Sequence, residues 1–156
     1  MSIKIDKYDR AILDILQKNC TLAVGEIAEK VGLSNTACWR RMNKLEQEGV
    51  IRAKVALLDQ KKLNLNVVVM VFIKTSTHSV EWIKKFHEHI EQIDEIIEVY
   101  RMAGDTDYLL KVAVSDVAAY DKVYKKIIKI SDLADVSSSF AMEQIKYTTQ
   151  LPLNFI

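Results

Sequence analysis

Between Ser34 and Lys44 the chain reads S-N-T-A-C-W-R-R-M-N-K, a stretch whose polar and apolar members alternate at helical spacing. At about 100° per residue, Cys38 and Met42 begin an apolar stripe that Leu45 continues. Thr36, Ala37, Arg40, Asn43 and Lys44 fall on the side opposite, with Arg41 at its margin. Arginine and asparagine can each make paired hydrogen bonds to a base edge, and lysine neutralises phosphate. The pattern therefore nominates Ser34, Asn35, Thr36, Arg40, Arg41, Asn43 and Lys44 for contact with duplex DNA, Arg41 and Lys44 at the phosphates. A merely solvated helix face has a similar composition, so the case turns on what precedes it.

What precedes it is a second short helix. Val24, Ile27, Ala28 and Val31 share one face, and Gly32 ends the helix because glycine enters the left-handed region readily. Ser34 then caps the next helix, which runs to Gly49. Two helices joined across Gly32-Leu33-Ser34 make a helix-turn-helix unit, and small Ala28 permits their close approach. Asp6 or Asp9 caps an earlier helix carrying Tyr8, Ile12, Ile15 and Leu16 on one face, which completes a three-helix head. After Gly49, Ile51, Ala53, Val55 and Leu57 alternate with Arg52 and Lys54, as in a strand with one polar edge, whose cations either reach the DNA backbone as a wing or form a solvated strand face.

Other chemistry finds little support. His78, His87 and His89 are close in sequence, but two residues apart on a helix point about 200° apart, which is poor for one metal. No nucleophile has a paired histidine and no phosphate loop is present, so we expect no enzyme, no metal and no cofactor. Net charge is only +1, which confines any nucleic-acid signal to a local patch. No run reaches the roughly 18 apolar residues of a membrane span, and M-S-I-K-I-D-K lacks the apolar core of a signal peptide, which points to a cytoplasmic protein without membrane contact. With only Cys20 and Cys38, and Cys38 on the buried stripe, reduced structural thiols are the expectation over a disulfide, a redox role for Cys20 being the weaker alternative.

The sequence divides into a head (1–50), a strand and linker (51–65) and a second domain with a C-terminal tail (66–156). Charge and asparagine cluster at D-Q-K-K-L-N-L-N, from Asp59 to Asn66. Val67 to Ile73 then reads as a strand apolar on both faces. Ser79 caps a helix carrying Ile83, Phe86 and Ile90, with Ile93 extending the stripe. Ile96 to Met102 and Tyr108 to Val114 are strands around the tight link Gly104-Asp105-Thr106-Asp107, which by itself is a turn of turn-forming residues. Asp116 caps a helix with Val117, Tyr120, Tyr124 and Ile127 inward and Lys122, Lys125, Lys126 and Lys129 solvated, and Val136 to Met142 is the last strand. Strand, helix, strand, strand, helix, strand is the order of a ferredoxin-like α+β domain, an antiparallel sheet with both helices on one face. Strands apolar on both faces require the other face to be covered too, most simply by a second copy, so a homodimer is expected.

Four stretches together resemble the Lrp/AsnC family of transcription regulators across essentially the whole chain: D-R-A-I-L-D-I-L-Q, G-L-S with R-R-M-N-K-L-E-Q-E-G-V-I, G-D-T-D-Y-L-L-K-V, and S-S-F-A-M-E-Q-I-K-Y-T-T-Q-L-P. K-V-A-L-L-D, H-S-V-E-W, R-M-A-G-D-T-D-Y-L and the S-S-F-A-M-E-Q-I-K-Y-T-T tail look most like the family's DecR subgroup, which is linked to cysteine detoxification. The resemblance implies a winged helix-turn-helix followed by a ferredoxin-like βαββαβ (RAM) domain that dimerises and builds larger rings, up to an octamer. It also implies an amino-acid effector, cysteine first and leucine or methionine next, held near Met102, Ala103, Gly104, Asp105, Thr106, Asp107, Tyr108 and Ser138. There Gly104 lets a backbone N–H approach a carboxylate, and Asp105 or Asp107 can pair with the α-ammonium. The chain departs from the family pattern in three places. Asn64 stands where a glycine is usual; Ile93-Asp94-Glu95 replaces the prolines before the second strand, and Asp132-Leu133-Ala134-Asp135 replaces the glycine before the fourth. A DNA-compacting or architectural protein without effector, or a free-standing amino-acid-binding module, are the alternatives; ligand-induced thermal shift and sequence-selective footprinting separate them from a regulator.

Overall fold

The computed structural model describes residues 4–156, which form two compact units. One comprises the chain up to Leu57 together with Lys146–Ile156, the other Leu58–Ile145. The tail, which the sequence assigns to the second domain, thus groups with the first. Its backbone is held there by one side chain: the Gln17 amide donates to the Leu151 carbonyl at 3.1 Å and accepts the Leu151 N–H at 2.9 Å.

In the first unit three helices, α1 (Lys7–Leu16), α2 (Val24–Val31) and α3 (Asn35–Gln47), bury Ile12, Leu16, Ile27, Ala28, Cys38, Met42 and Leu45 against one another. Their ends are those that the sequence encodes. The Asp6 carboxylate caps α1 and Asp9 closes a capping box with it, Gly32 stops α2 in the left-handed region (φ 69°), and the Ser34 hydroxyl accepts the Ala37 N–H to start α3. The expected strand from Ile51 to Leu57 is absent: among the described residues this stretch has no helix or strand and pairs with no strand. Alternation alone does not make a strand, because the backbone N–H and C=O groups need a partner. Val55 and Leu57 are left exposed along it.

The second unit begins with a 3₁₀ turn (Lys61–Leu63), after which Asn64 takes φ 61°, the left-handed conformation that the missing glycine would supply. Strands β1 (Val67–Thr75), β2 (Ile96–Arg101), β3 (Tyr108–Val114) and β4 (Leu133–Phe140) form one antiparallel sheet in the order β2-β3-β1-β4. Helices α4 (Val80–Ile90) and α5 (Val117–Ile127) cover one face, as the ferredoxin-like pattern requires. Asp132 (φ 62°) turns the chain into β4, which therefore starts three residues before the expected Val136.

The core contains Val69, Val71, Ile73, Leu110 and Val112 from the sheet. From α4 the buried stripe is Trp82, Phe86 and Ile90, with Ile83 at its edge, so the sequence reading omitted Trp82. On α5 it is Tyr120, Val123 and Ile127; Val117 points outward instead, 63% exposed, because the positions three and seven along from Tyr120 already complete the inward face. On the sheet's other face Val68, Met70, Phe72 and Leu109 are half-buried.

Candidate functional site

Burial of Cys38, Met42 and Leu45 fixes the roll of α3 and leaves Ser34, Asn35, Thr36, Arg40 and Lys44 exposed, with Asn43 half-buried. Arg40 has no carboxylate partner among the described residues, and Lys44 reaches only Glu48, at 4.0 Å across the exposed helix surface. An exposed polar side with a free guanidinium suits base edges and phosphates. Trp39, 55% exposed between Asn35 and Asn43 on the helix surface, belongs to the same face and was missed; its signal is a large aromatic off the apolar stripe. Lys4 was missed as well, and it lines a shallow hollow with Arg40, Arg41 and Lys44. Of the wing cations, Lys54 pairs with Glu46 at 2.6 Å.

Arg41 departs from its expected role. Its Nη1 lies 2.7 Å from an Asp6 oxygen and 2.7 Å from an Asp9 oxygen, and its guanidinium sits 5.3 Å from the centre of the Tyr8 ring. The group is turned toward α1, because the margin of the α3 stripe is where α1 packs. The Asp9 N–H and the Arg41 guanidinium, bonded to it, hold the Asp6 carboxyl below the usual carboxylate range, and burial pushes the Cys38 thiol up, which keeps it protonated.

The expected effector residues split. The link between β2 and β3 closes with the Met102 N–H donating to the Asp107 carbonyl at 2.8 Å, and Gly104 takes φ 120°, which only glycine adopts without strain. Among the described residues the N–H groups of Ala103, Gly104, Asp105 and Thr106 find no acceptor, so an exposed turn presents free donors. Asp105, 93% exposed, holds Lys74 at 2.8 Å. Asp107 is committed to the fold: its N–H donates to the Ile73 carbonyl, and its carboxylate accepts the Thr75 N–H at 2.8 Å where the β1–β4 register shifts. Tyr108 is a core residue, 2% exposed with its ring 4.4 Å from Phe86, and so offers no side chain to a ligand; the period-two alternation of β3 puts it inward. Ser138 lies on β4 opposite Val71, bonded to the Tyr120 hydroxyl, with β1 between it and the turn, so one chain does not bring it to the other effector residues.

A three-helix helix-turn-helix head joined to a ferredoxin-like domain defines the class of two-unit helix-turn-helix proteins. Comparison with known proteins gives the same class: residues 5–52 match the winged helix-turn-helix DNA-binding family, and residues 68–151 the Lrp/AsnC ligand binding domain. The chain is 47% identical to the DNA-binding transcriptional activator DecR of Escherichia coli K12, covering 96% of this chain and 99% of that one. It is 46% identical to the glutamate uptake regulatory protein of Zymomonas mobilis, over 96% and 92% of the two chains. Among solved structures, an AsnC family regulator from Agrobacterium tumefaciens superposes with a TM-score of 0.93 at 57% identity over 97% of this chain and 99% of that one. A Neisseria meningitidis regulator in complex with L-methionine superposes at 0.92 and 32% identity, with the same coverage. The chain belongs to the Lrp/AsnC family and is a DNA-binding transcriptional regulator of that type.

Two outcomes follow from the site geometry. Asp107→Ala strands the Thr75 N–H, whose residue is 7% exposed, and should cost about 1–3 kcal/mol in urea unfolding, whereas Asp107→Asn keeps an acceptor and most of the stability. Because the folded-state Asp6 carboxyl is depressed, its contribution is present above the ordinary aspartate value of about 4 and is lost as pH falls through the lower folded value. Thermal melts taken from about pH 5 downward should therefore fall less steeply below about pH 4 in Asp6→Asn than in the native protein.

Proposed function

We propose that this regulator reads specific duplex sites through α3 as a homodimer or higher assembly, up to an octamer, in the cytoplasm, and that a small amino acid at the Met102–Asp107 turn alters its assembly or DNA affinity. The observation that carries the reading is the rolled α3, whose apolar side is buried and whose opposite side presents Arg40, Asn43 and Lys44. Arg40 reads a base edge, Asn43 assists, and Lys44 and Lys4 meet phosphates. Dimer formation is supported by the half-buried Val68, Met70, Phe72 and Leu109, which one chain leaves uncovered.

The turn supplies what an amino-acid carboxylate needs: successive free N–H donors around Gly104, with Asp105 beside them for the ammonium group. Backbone donors and one carboxylate recognise only the groups that all amino acids share, so the side chain must be chosen by residues outside the turn. The names of relatives vary in the amino acid they carry. One bound L-methionine in its crystal, another is named for leucine, and two of nearly equal similarity are named DecR and glutamate uptake regulator. Cysteine leads our order of candidates by its DecR resemblance, with leucine and methionine behind.

On a site selected from random duplexes, Arg40→Ala should lose about 1–3 kcal/mol of discrimination against other sequences, while Lys44→Ala should weaken binding to all sequences alike and lower the salt slope by about 1. Unchanged footprints in both would move the reading surface off α3. Calorimetric titration of the twenty amino acids with and without that duplex should find one whose affinity changes by about 5- to 150-fold, and the same factor must appear in the DNA affinity. Gly104→Val should abolish that response with DNA binding retained; an undiminished response would place the ligand elsewhere.

A further inference from the structure

The first turn of α1 and the middle of α3 are joined by one guanidinium. Asp6 and Asp9 form the α1 capping box, in which Asp6 Oδ1 accepts the Tyr8 and Asp9 N–H groups at 2.8 and 3.0 Å and Asp9 Oδ2 accepts the Asp6 N–H at 3.1 Å. Each carboxylate thus spends one oxygen on the backbone and turns the other, Asp6 Oδ2 and Asp9 Oδ1, to Arg41 Nη1 at 2.7 Å. Asp9 is only 5% exposed, and the Tyr8 ring lies against the guanidinium. Every group in this cluster is held at both ends, so its geometry is fixed more tightly than a surface ion pair.

That fixity matters because of what is next to it. Arg40 and Arg41 are consecutive on α3, hence about 100° apart around its axis, and Lys44 is one turn on. The buried stripe sets the roll of α3, and pinning Arg41 inward adds a polar tether to α1 that holds the helix at the residue adjoining Arg40. The hollow there is lined by Lys4, Arg40, Arg41 and Lys44 together with Asp6 and Asp9, so two carboxylates lie beside the cations offered to phosphate. Arg41 offsets one of these two negative charges where they would otherwise repel the DNA.

Resting on the reading of α3 as the DNA-facing helix, we propose that Arg41 is a positioning residue for recognition: bound to the α1 capping box, it holds the angle at which Arg40, Asn43 and Lys44 meet the bases, and touches no phosphate itself.

Two variants test this in the full-length protein below their melting temperatures. Arg41→Lys keeps the charge but loses the planar guanidinium and its place against Tyr8. Arg41→Ala combined with Asp9→Asn removes the cation and the buried carboxylate together, so net charge is unchanged and Asp9 is not stranded as an unpaired ion. In both, the ratio of affinity for a selected duplex to affinity for random duplex should fall at least about tenfold, with the salt slope unchanged. A salt slope lower by about 1 in the double variant makes Arg41 a phosphate contact and overturns the proposal, as does an undiminished ratio in folded protein, which leaves Arg41 a purely structural role. Arg40→Ala measured alongside separates the two possible failures. An unchanged ratio there sinks α3 as the reader and the positioning role with it, while a fallen ratio there and none in the Arg41 variants overturns the positioning role alone.

Discussion

The constraint on which the head depends is the burial of one side of α3. Cys38 is fully buried, with Met42 and Leu45 nearly so, and a rigid helix with that stripe against α1 and α2 has no freedom to choose what it shows on the other side. Exposure of Arg40 and Lys44 is thus a consequence of packing, and the electrostatic contacts they offer DNA cost no rearrangement of the helix. The same stripe explains Arg41. A residue at the margin of a buried face meets whatever the neighbouring helix presents there, and α1 presents the free oxygens of its capping box. One local device, the cap that starts α1, therefore doubles as the socket that receives α3.

In the second unit β1 has the corresponding role, since it pairs with both β3 and β4 and supplies Val69, Val71 and Ile73 to the core. The end of β1 is also where the turn after β2 is fastened, through Asp107 at the Ile73 carbonyl and the Thr75 N–H. A ligand carboxylate at the free N–H groups of that turn would act on a loop anchored to the central strand at one side and left loose around Gly104 at the other. Such a loop can respond to a ligand without the sheet being remade, which suits an element whose two states must differ by only a few kcal/mol.

Local signals were legible and distant ones were not. The caps at Asp6, Ser34, Ser79 and Asp116, the stop at Gly32 and the left-handed Asn64 follow from rules acting over a few residues, and the sequence displays them directly. The chain order of the strands and helices followed from the alternation of helix-like and strand-like periods. The bonds of Arg41 to Asp6 and Asp9 span more than thirty positions, and the hold of Gln17 on Leu151 spans 134, distances at which one sequence carries no pairing signal. Ile51 to Leu57 misled for the opposite reason: its alternation is real, but a strand is a property of two segments, and this chain supplies one. Val117 misled through roll, because an apolar residue at a helix's first position can fall on either side, whereas Tyr108 entered the effector set by resemblance and the alternation of β3 turns its ring into the core.

The grouping of Lys146–Ile156 with the head has a further consequence for how an effector can be heard. The chain leaves the head at Leu57, builds the second unit, and returns at Lys146, so that the effector unit is joined to the head by two covalent crossings. β4 ends at Phe140, only five residues before the second crossing, and β4 is hydrogen-bonded along β1, to whose end the turn is fastened. A shift at the turn thus has paired backbone as far as Ala141, from which an unpaired stretch leads to the segment that Gln17 grips beside the end of α1. The other crossing, before Leu58, is unpaired too, but it leaves no hydrogen-bonded strand on the head side, whereas the tail crossing follows directly on β4. Coupling through the tail requires the Gln17–Leu151 grip to differ in strength between the two states, since a contact equally strong in both shifts no equilibrium.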